Sequence, residues 1–139
     1  MSTDFYVYET QAESKGDIGM REVMYRALST NNKDWIYGFP LLYGFENWIA
    51  DFGGMKKNIK SKTVGQFTGL KDKNGEGIFE GDVYHQGDPR ITYTVVWHDS
   101  GLIGKQNGSS SYAGLSHWQE RIEVIGNIHE NPKLLEVAN

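Results

Sequence analysis

The stretch GIFEGDVYHQGDPRITYTVVWHDS, residues 77–100, decides the fold. Its two halves are rich in β-branched and aromatic residues and meet at Gly87-Asp88-Pro89, so they predict two antiparallel strands joined by a turn. Just upstream, Asn74-Gly75 takes positive φ readily and predicts another tight turn. Downstream, GLIGKQNGSSSYAGLS (101–116) has much Gly and Ser and little apolar content, and is expected to be a long surface loop. RIEVIGNI (121–128) returns to alternation and predicts a strand that Asn131-Pro132 stops. The closing KLLEVAN fits either a short strand or one helical turn.

Towards the N-terminus, MYRAL, WIYGF, PLLYG, NWIADF and TVGQFTGL are short apolar pieces separated by Asn, Gly and Asp clusters, each long enough for one strand. Trp35, Tyr37, Phe39 and Tyr43 alternate, which predicts one buried face. No long stretch carries the 3.6-residue apolar period of an amphipathic helix. The fold class is therefore mainly β, with α+β open for the N-terminal part.

The chain has 139 residues, 38% hydrophobic and 13% aromatic, with no Cys. A chain this long buries roughly two thirds of its unfolded surface, so it needs no staple to fold. Disulfides and cysteine-ligated zinc are excluded. No apolar run approaches the roughly 20 residues that span a bilayer, and the polar, acidic opening lacks a signal-peptide pattern, so no membrane partner and a cytoplasmic location are expected.

The formal charge of −4 is unevenly spread. Lys56, Lys57, Lys60, Lys62, Lys71 and Lys73 face only Asp72 within residues 56–73, a local +5 against −9 elsewhere. This seam suggests a boundary near Ser61 to Leu70, giving subdomains 20–65 and 66–139. Residues 1–19 are read either as upstream leader or as a genuine extension. Lys15-Gly16-Asp17 can be encoded by a ribosome-binding sequence suitably spaced before Met20, whereas Phe5-Tyr6-Val7-Tyr8 could add an edge strand.

No constellation of catalytic residues emerges. Glu80, Asp82, His85 and Asp88 are the densest ligand-like cluster, but in a strand 82 and 85 lie on opposite faces, and Glu80-Gly81-Asp82 reads better as a turn whose Asp accepts backbone N–H groups. His98-Asp99, His117-Trp118 and His129-Glu130 are isolated pairs, and Ser109-Ser110-Ser111 lacks the G-x-S-x-G elbow of a hydrolase. The run from Gly53 to Ser61 lacks the glycine that a phosphate loop needs before its Lys, with Ile59 there instead. No catalytic or metal-binding residue and no cofactor is expected.

REVMYRA (21–27) and WIYG (35–38), then TVGQFTGLKDKNGEGIFEGDV (63–83), then IEVIGNIHENPKLL (122–135) resemble the YopX family of phage and prophage proteins. The central block is the most specific, although Gly77 stands where a larger or charged residue is expected. The resemblance implies a C-terminal half shaped as a small, partly open SH3-like barrel and a mobile-element origin in a bacterial host. It implies no reaction, and fold analogy supplies none.

The leading expectation is thus a non-catalytic module binding a host or phage protein through the rim of the C-terminal half and residues 100–116, with Tyr112 and Trp118 as exposed aromatic candidates. The alternative is an accessory single-stranded nucleic-acid binder using the six lysines beside Trp48, Phe52, Phe67 and Tyr84. Exposed strand edges and charge asymmetry also make self-association an expectation.

Overall fold

The computed structural model describes residues 22–136 apart from 32, 44 and 45. The leader-or-extension reading of 1–19 lies outside the described residues. Within them the chain divides into two compact units between Gln66 and Phe67, and every strand pairing is antiparallel.

The first unit contains β1 (Tyr25–Leu28), β2 (Trp35–Tyr43), β3 (Glu46–Asp51) and β4 (Lys56–Asn58), in spatial order β4-β3-β2-β1. WIYGF and PLLYG are therefore one strand, not two. Pro40 is tolerated inside it because β1 pairs only as far as Gly38. Beyond that point β2 has no partner on that side among the described residues, so a missing N–H breaks no ladder among them. On the far side of β1, Gly65 and Gln66 pair with Arg26 and Tyr25. A 3-10 turn, Ser61–Thr63, precedes them. The Thr63 hydroxyl there donates to the Lys60 carbonyl at 2.7 Å and accepts the Leu28 N–H at 2.8 Å.

The core of this unit is aliphatic: Ala27, Ile49 and Ile59, with Ile36 and Val64 packed on them. Register places 27, 36 and 49 on one face of the sheet, so Trp35, Tyr37 and Phe39 occupy the other. The alternation expected of the aromatics holds, but their face is not buried. Tyr37, Phe39 and Leu41 are 37%, 41% and 44% exposed. The aliphatic positions between them fill the core instead. Tyr43's side chain lies outside the described residues.

β5 (Gly65–Lys71) carries the chain into the second unit, where it pairs with β6 (Gly77–Phe79). β7 (Asp82–His85), β8 (Thr92–His98), β9 (Gly101–Gln106), β10 (Tyr112–Ala113) and β11 (Glu123–Asn127) form a sheet ordered β10-β9-β8-β7-β11. Among the described residues β10 and β11 do not pair, so the sheet is not closed into a barrel. The mainly β architecture is the one expected. The expected loop over 101–116 is instead β9, a turn, β10 and the start of α1 (Leu115–Trp118). Backbone and side-chain bonds hold that turn: Gln106 N–H to the Ser111 carbonyl, and Lys105 Nζ to the Ser109 carbonyl at 2.8 Å. Within KLLEVAN, Lys133, Leu134 and Leu135 complete a 3-10 turn over Pro132–Leu135, and residues 137–139 lie outside the described residues.

Ile78, Tyr84, Tyr93, Val95, Leu115 and Ile122 make the second core, flanked by Leu70, Leu102, Ala113, Trp118 and Val124. Each such apolar side chain, once buried, contributes about 1.5–3 kcal/mol. The Tyr84 and Tyr93 rings stack at 5.3 Å.

Candidate functional site

Among the described residues, the two buried acidic residues of the second unit, Asp72 and Asp82, are committed to backbone. Asp72 is buried; its Oδ1 accepts the Asn74 and Glu76 N–H groups, both at 2.9 Å, and its Oδ2 accepts the Val124 N–H at 2.9 Å. One carboxylate thus builds the Asn74-Gly75 turn and ties it to β11. Asp82, also buried, accepts the Phe79 N–H at 2.8 Å. The turn reading of Glu80-Gly81-Asp82 is the observed one. Gly81 has φ 92°, with its N–H donating to the Val95 carbonyl.

The histidines are likewise occupied or isolated. His85 accepts the Gly87 N–H at Nδ1, while its Nε2 lies 3.5 Å from Glu123 Oε1, which Lys73 Nζ also reaches at 3.0 Å. Asp82 and His85 alternate across β7 and are not brought together. Asp88 is held by the Arg90 guanidinium through both oxygens at 3.1 Å, and these bonds hold its exposed carboxyl below the usual carboxylate range. His129 and Glu130 sit in a turn whose N–H groups donate to Asn127 Oδ1. Among the described residues no three His, Asp or Glu side chains gather where they could hold a metal ion.

The six lysines are divided between the units. Lys56 and Lys57 lie on edge strand β4, and Lys60 and Lys62 follow it, all exposed. Lys71 ends β5, and Lys73 belongs to the Asp72 turn. Of the rings placed beside them, Trp48 receives Lys56, whose Nζ stands 5.8 Å from the ring centre. Phe67 and Tyr84 are buried. The Gly53 to Ser61 run forms a turn and the edge strand β4, with no helix to receive a phosphate.

Tyr112 and Trp118 also separate. Trp118 is half-buried against the second core, whereas Tyr112 is 41% exposed and stacks on His98 at 4.1 Å. Trp97, 51% exposed, alternates with His98 and so lies on the opposite face of the β8–β9 hairpin, beyond core residues Tyr93 and Val95; the hairpin's turn puts Asp99 at φ 57°. Trp97 was not among the expected site residues. Its signal was its place at the end of an alternating run, just before His98-Asp99-Ser100-Gly101, where a strand outlasts the core beneath it.

Two buried polar atoms of the second unit are left over among the described residues, the Tyr84 hydroxyl and Gln86 Oε1. The Tyr84 hydroxyl has no hydrogen-bond partner among the described residues. A Cβ added at Gly104 would stand 1.8 Å from that oxygen. Burial, and secondarily the neighbouring Tyr93, pushes the Tyr84 phenol well above the ordinary tyrosine range, so it stays protonated near neutrality.

A family model described as YopX protein matches residues 24–136. Among solved structures, the crystal structure of protein EF1440 from Enterococcus faecalis is similar, with 26% identity and a TM-score of 0.58, over 84% of this chain and 100% of that one. No curated protein matches the chain. Among the described residues no helix is long and apolar enough to cross a membrane.

Proposed function

The chain belongs to the YopX family, and on that premise we propose that it is a non-catalytic binding module of phage or prophage origin that engages a protein partner. The observation supporting this reading is the set of exposed rings at the β8–β9 hairpin: His98 stacked on exposed Tyr112 on one face, and exposed Trp97 on the other. Large rings on a hairpin held by its own hydrogen bonds are rigid anchors. Trp and Tyr carry a disproportionate share of binding energy at protein interfaces. Of the candidate cluster Glu80, Asp82, His85 and Asp88, Asp82 is engaged by the Phe79 N–H and Asp88 by Arg90.

The test is affinity capture from nuclease-treated bacterial lysate with the full chain and with the Trp97→Ala/Tyr112→Ala double variant. A protein retained by the first and lost by the second supports the reading. Equal capture by both chains overturns it.

A further inference from the structure

The first unit turns an aromatic sheet face to solvent, and we infer that this face binds single-stranded nucleic acid. Along β2 the exposed side chains are Tyr37, Phe39 and Leu41. Register sets Phe39 beside Ala50 and then Lys56, and sets Leu41 beside Trp48 and then Asn58, across β2, β3 and β4. Phe52 meets the Phe39 ring edge-on at 5.9 Å. Alternate residues of a strand are about 6.6 Å apart. That is close to two base thicknesses of about 3.4 Å, so neighbouring rings on β2 can each carry one base of an extended strand.

The charge around these rings selects the occupant. Lys56 stands over Trp48, the buried Arg26 guanidinium lies 4.2 Å from the Trp35 ring centre, and exposed Lys60 and Lys62 follow the edge strand, whereas Lys57, opposite Ile49, lies on the other face. Between residues 22 and 66 six Lys and Arg meet four Asp and Glu; between 67 and 136 six meet ten. The stretch 22–66 is therefore cationic inside an acidic protein, although residues 1–66 as a whole balance at eight against eight. A second copy of this chain would suit the face poorly, because a two-fold interface would turn the lysine rim towards itself. A polyanion with exposed bases satisfies both the rings and the rim. Lysine, a point charge without Arg's bidentate fork, reads phosphates rather than base edges, so binding is expected to be largely independent of sequence.

The experiment is fluorescence anisotropy of the full chain with labelled oligo(dT) of about twelve nucleotides, titrated with salt. Affinity should fall steeply as salt rises. Phe39→Ala and Tyr37→Ala should each weaken it by roughly 5- to 100-fold while leaving the thermal melt of these exposed positions in place. Lys56→Glu should lower the log–log salt slope by about 0.7 or more. Absence of binding at low salt overturns the inference, as does binding that ignores Tyr37 and Phe39. Self-association that Phe39→Ala abolishes, with no oligonucleotide binding, would assign the face to a second copy instead. Because this face is not the Trp97 hairpin, that hairpin's Trp97→Ala/Tyr112→Ala variant should bind oligo(dT) like the parent chain, so the two readings fail separately.

Discussion

Asp51 in the first unit and Asp72 in the second build the same turn. In each, Oδ1 accepts the N–H groups two and four residues on, the Asp N–H donates to the carbonyl four residues on, and a glycine three residues on adopts φ 84° or 83°. The difference lies in the second oxygen. Asp51 spends its carboxylate locally at the surface, whereas Asp72 is buried and accepts the Val124 N–H from a strand 52 residues away. The same local pattern is a surface turn in one place and a tertiary anchor in the other. A Asp-x-x-Gly spacing predicts the turn and is silent on the anchor.

The comparison extends to two glycines at close approaches, where the largest effects are expected. A Cβ at Gly38 would lie 2.0 Å from the Ala50 carbonyl oxygen, and one at Gly104 would lie 1.8 Å from the Tyr84 hydroxyl. Gly38→Ala should cost about 3 kcal/mol or more, because a paired strand cannot step aside. Gly104→Ala should cost about 2–3 kcal/mol. Tyr84→Phe should stabilise Gly104→Ala by more than it stabilises the parent chain, and Gly38→Ala by no more than that; urea denaturation of the double variants reads this directly. Equal rescue would mean that the two contacts are not local.

Next in size, Asp72→Ala should cost about 3 kcal/mol and Asp51→Ala about 1 kcal/mol, since only the former strands a buried N–H on another strand. Hydrogen exchange at Val124 should rise in Asp72→Ala. Equal costs would break the comparison. Gly54→Ala and Gly75→Ala meet nothing within 4 Å of the added Cβ and share one backbone conformation. Each should cost about 1–2 kcal/mol from the left-handed φ alone, and agreement between their melting shifts would confirm that the turns are equivalent. The smallest effect is a gain: Tyr84→Phe removes a buried hydroxyl without a partner and should stabilise by up to about 1 kcal/mol in the same denaturation assay.

The secondary structure was legible where local chemistry suffices. Asn74-Gly75 marks a turn, and ITYTVVWH alternates because β8 has one face on the core through Tyr93 and Val95. Reading failed where tertiary context decides. Trp35, Tyr37 and Phe39 alternate with Ile36, Gly38 and Pro40, and periodicity identifies two faces without saying which is covered. The core of a small unit took the aliphatic set around Ala27 and Ile49, leaving the larger rings outside. Residues 101–116 look like a loop by composition, yet Gly104 is buried at the one place where the Tyr84 ring needs room. The candidate surfaces were partly visible: Lys56 and Lys57 were singled out for charge, and Tyr112 as an exposed ring. Trp97 was missed because exposure at a hairpin end follows from strand length relative to the core.

The two close approaches also set the order in which related sequences can change. Position 38 faces a main-chain oxygen, which no substitution elsewhere removes, so it should stay glycine while its surroundings drift. Position 104 faces a side chain, so it can grow once residue 84 has given up its hydroxyl, and more freely once that residue has become smaller. In an aligned set of relatives, position 38 should be nearly invariant and positions 84 and 104 should vary together, with the shrinking change preceding the growing one along each lineage.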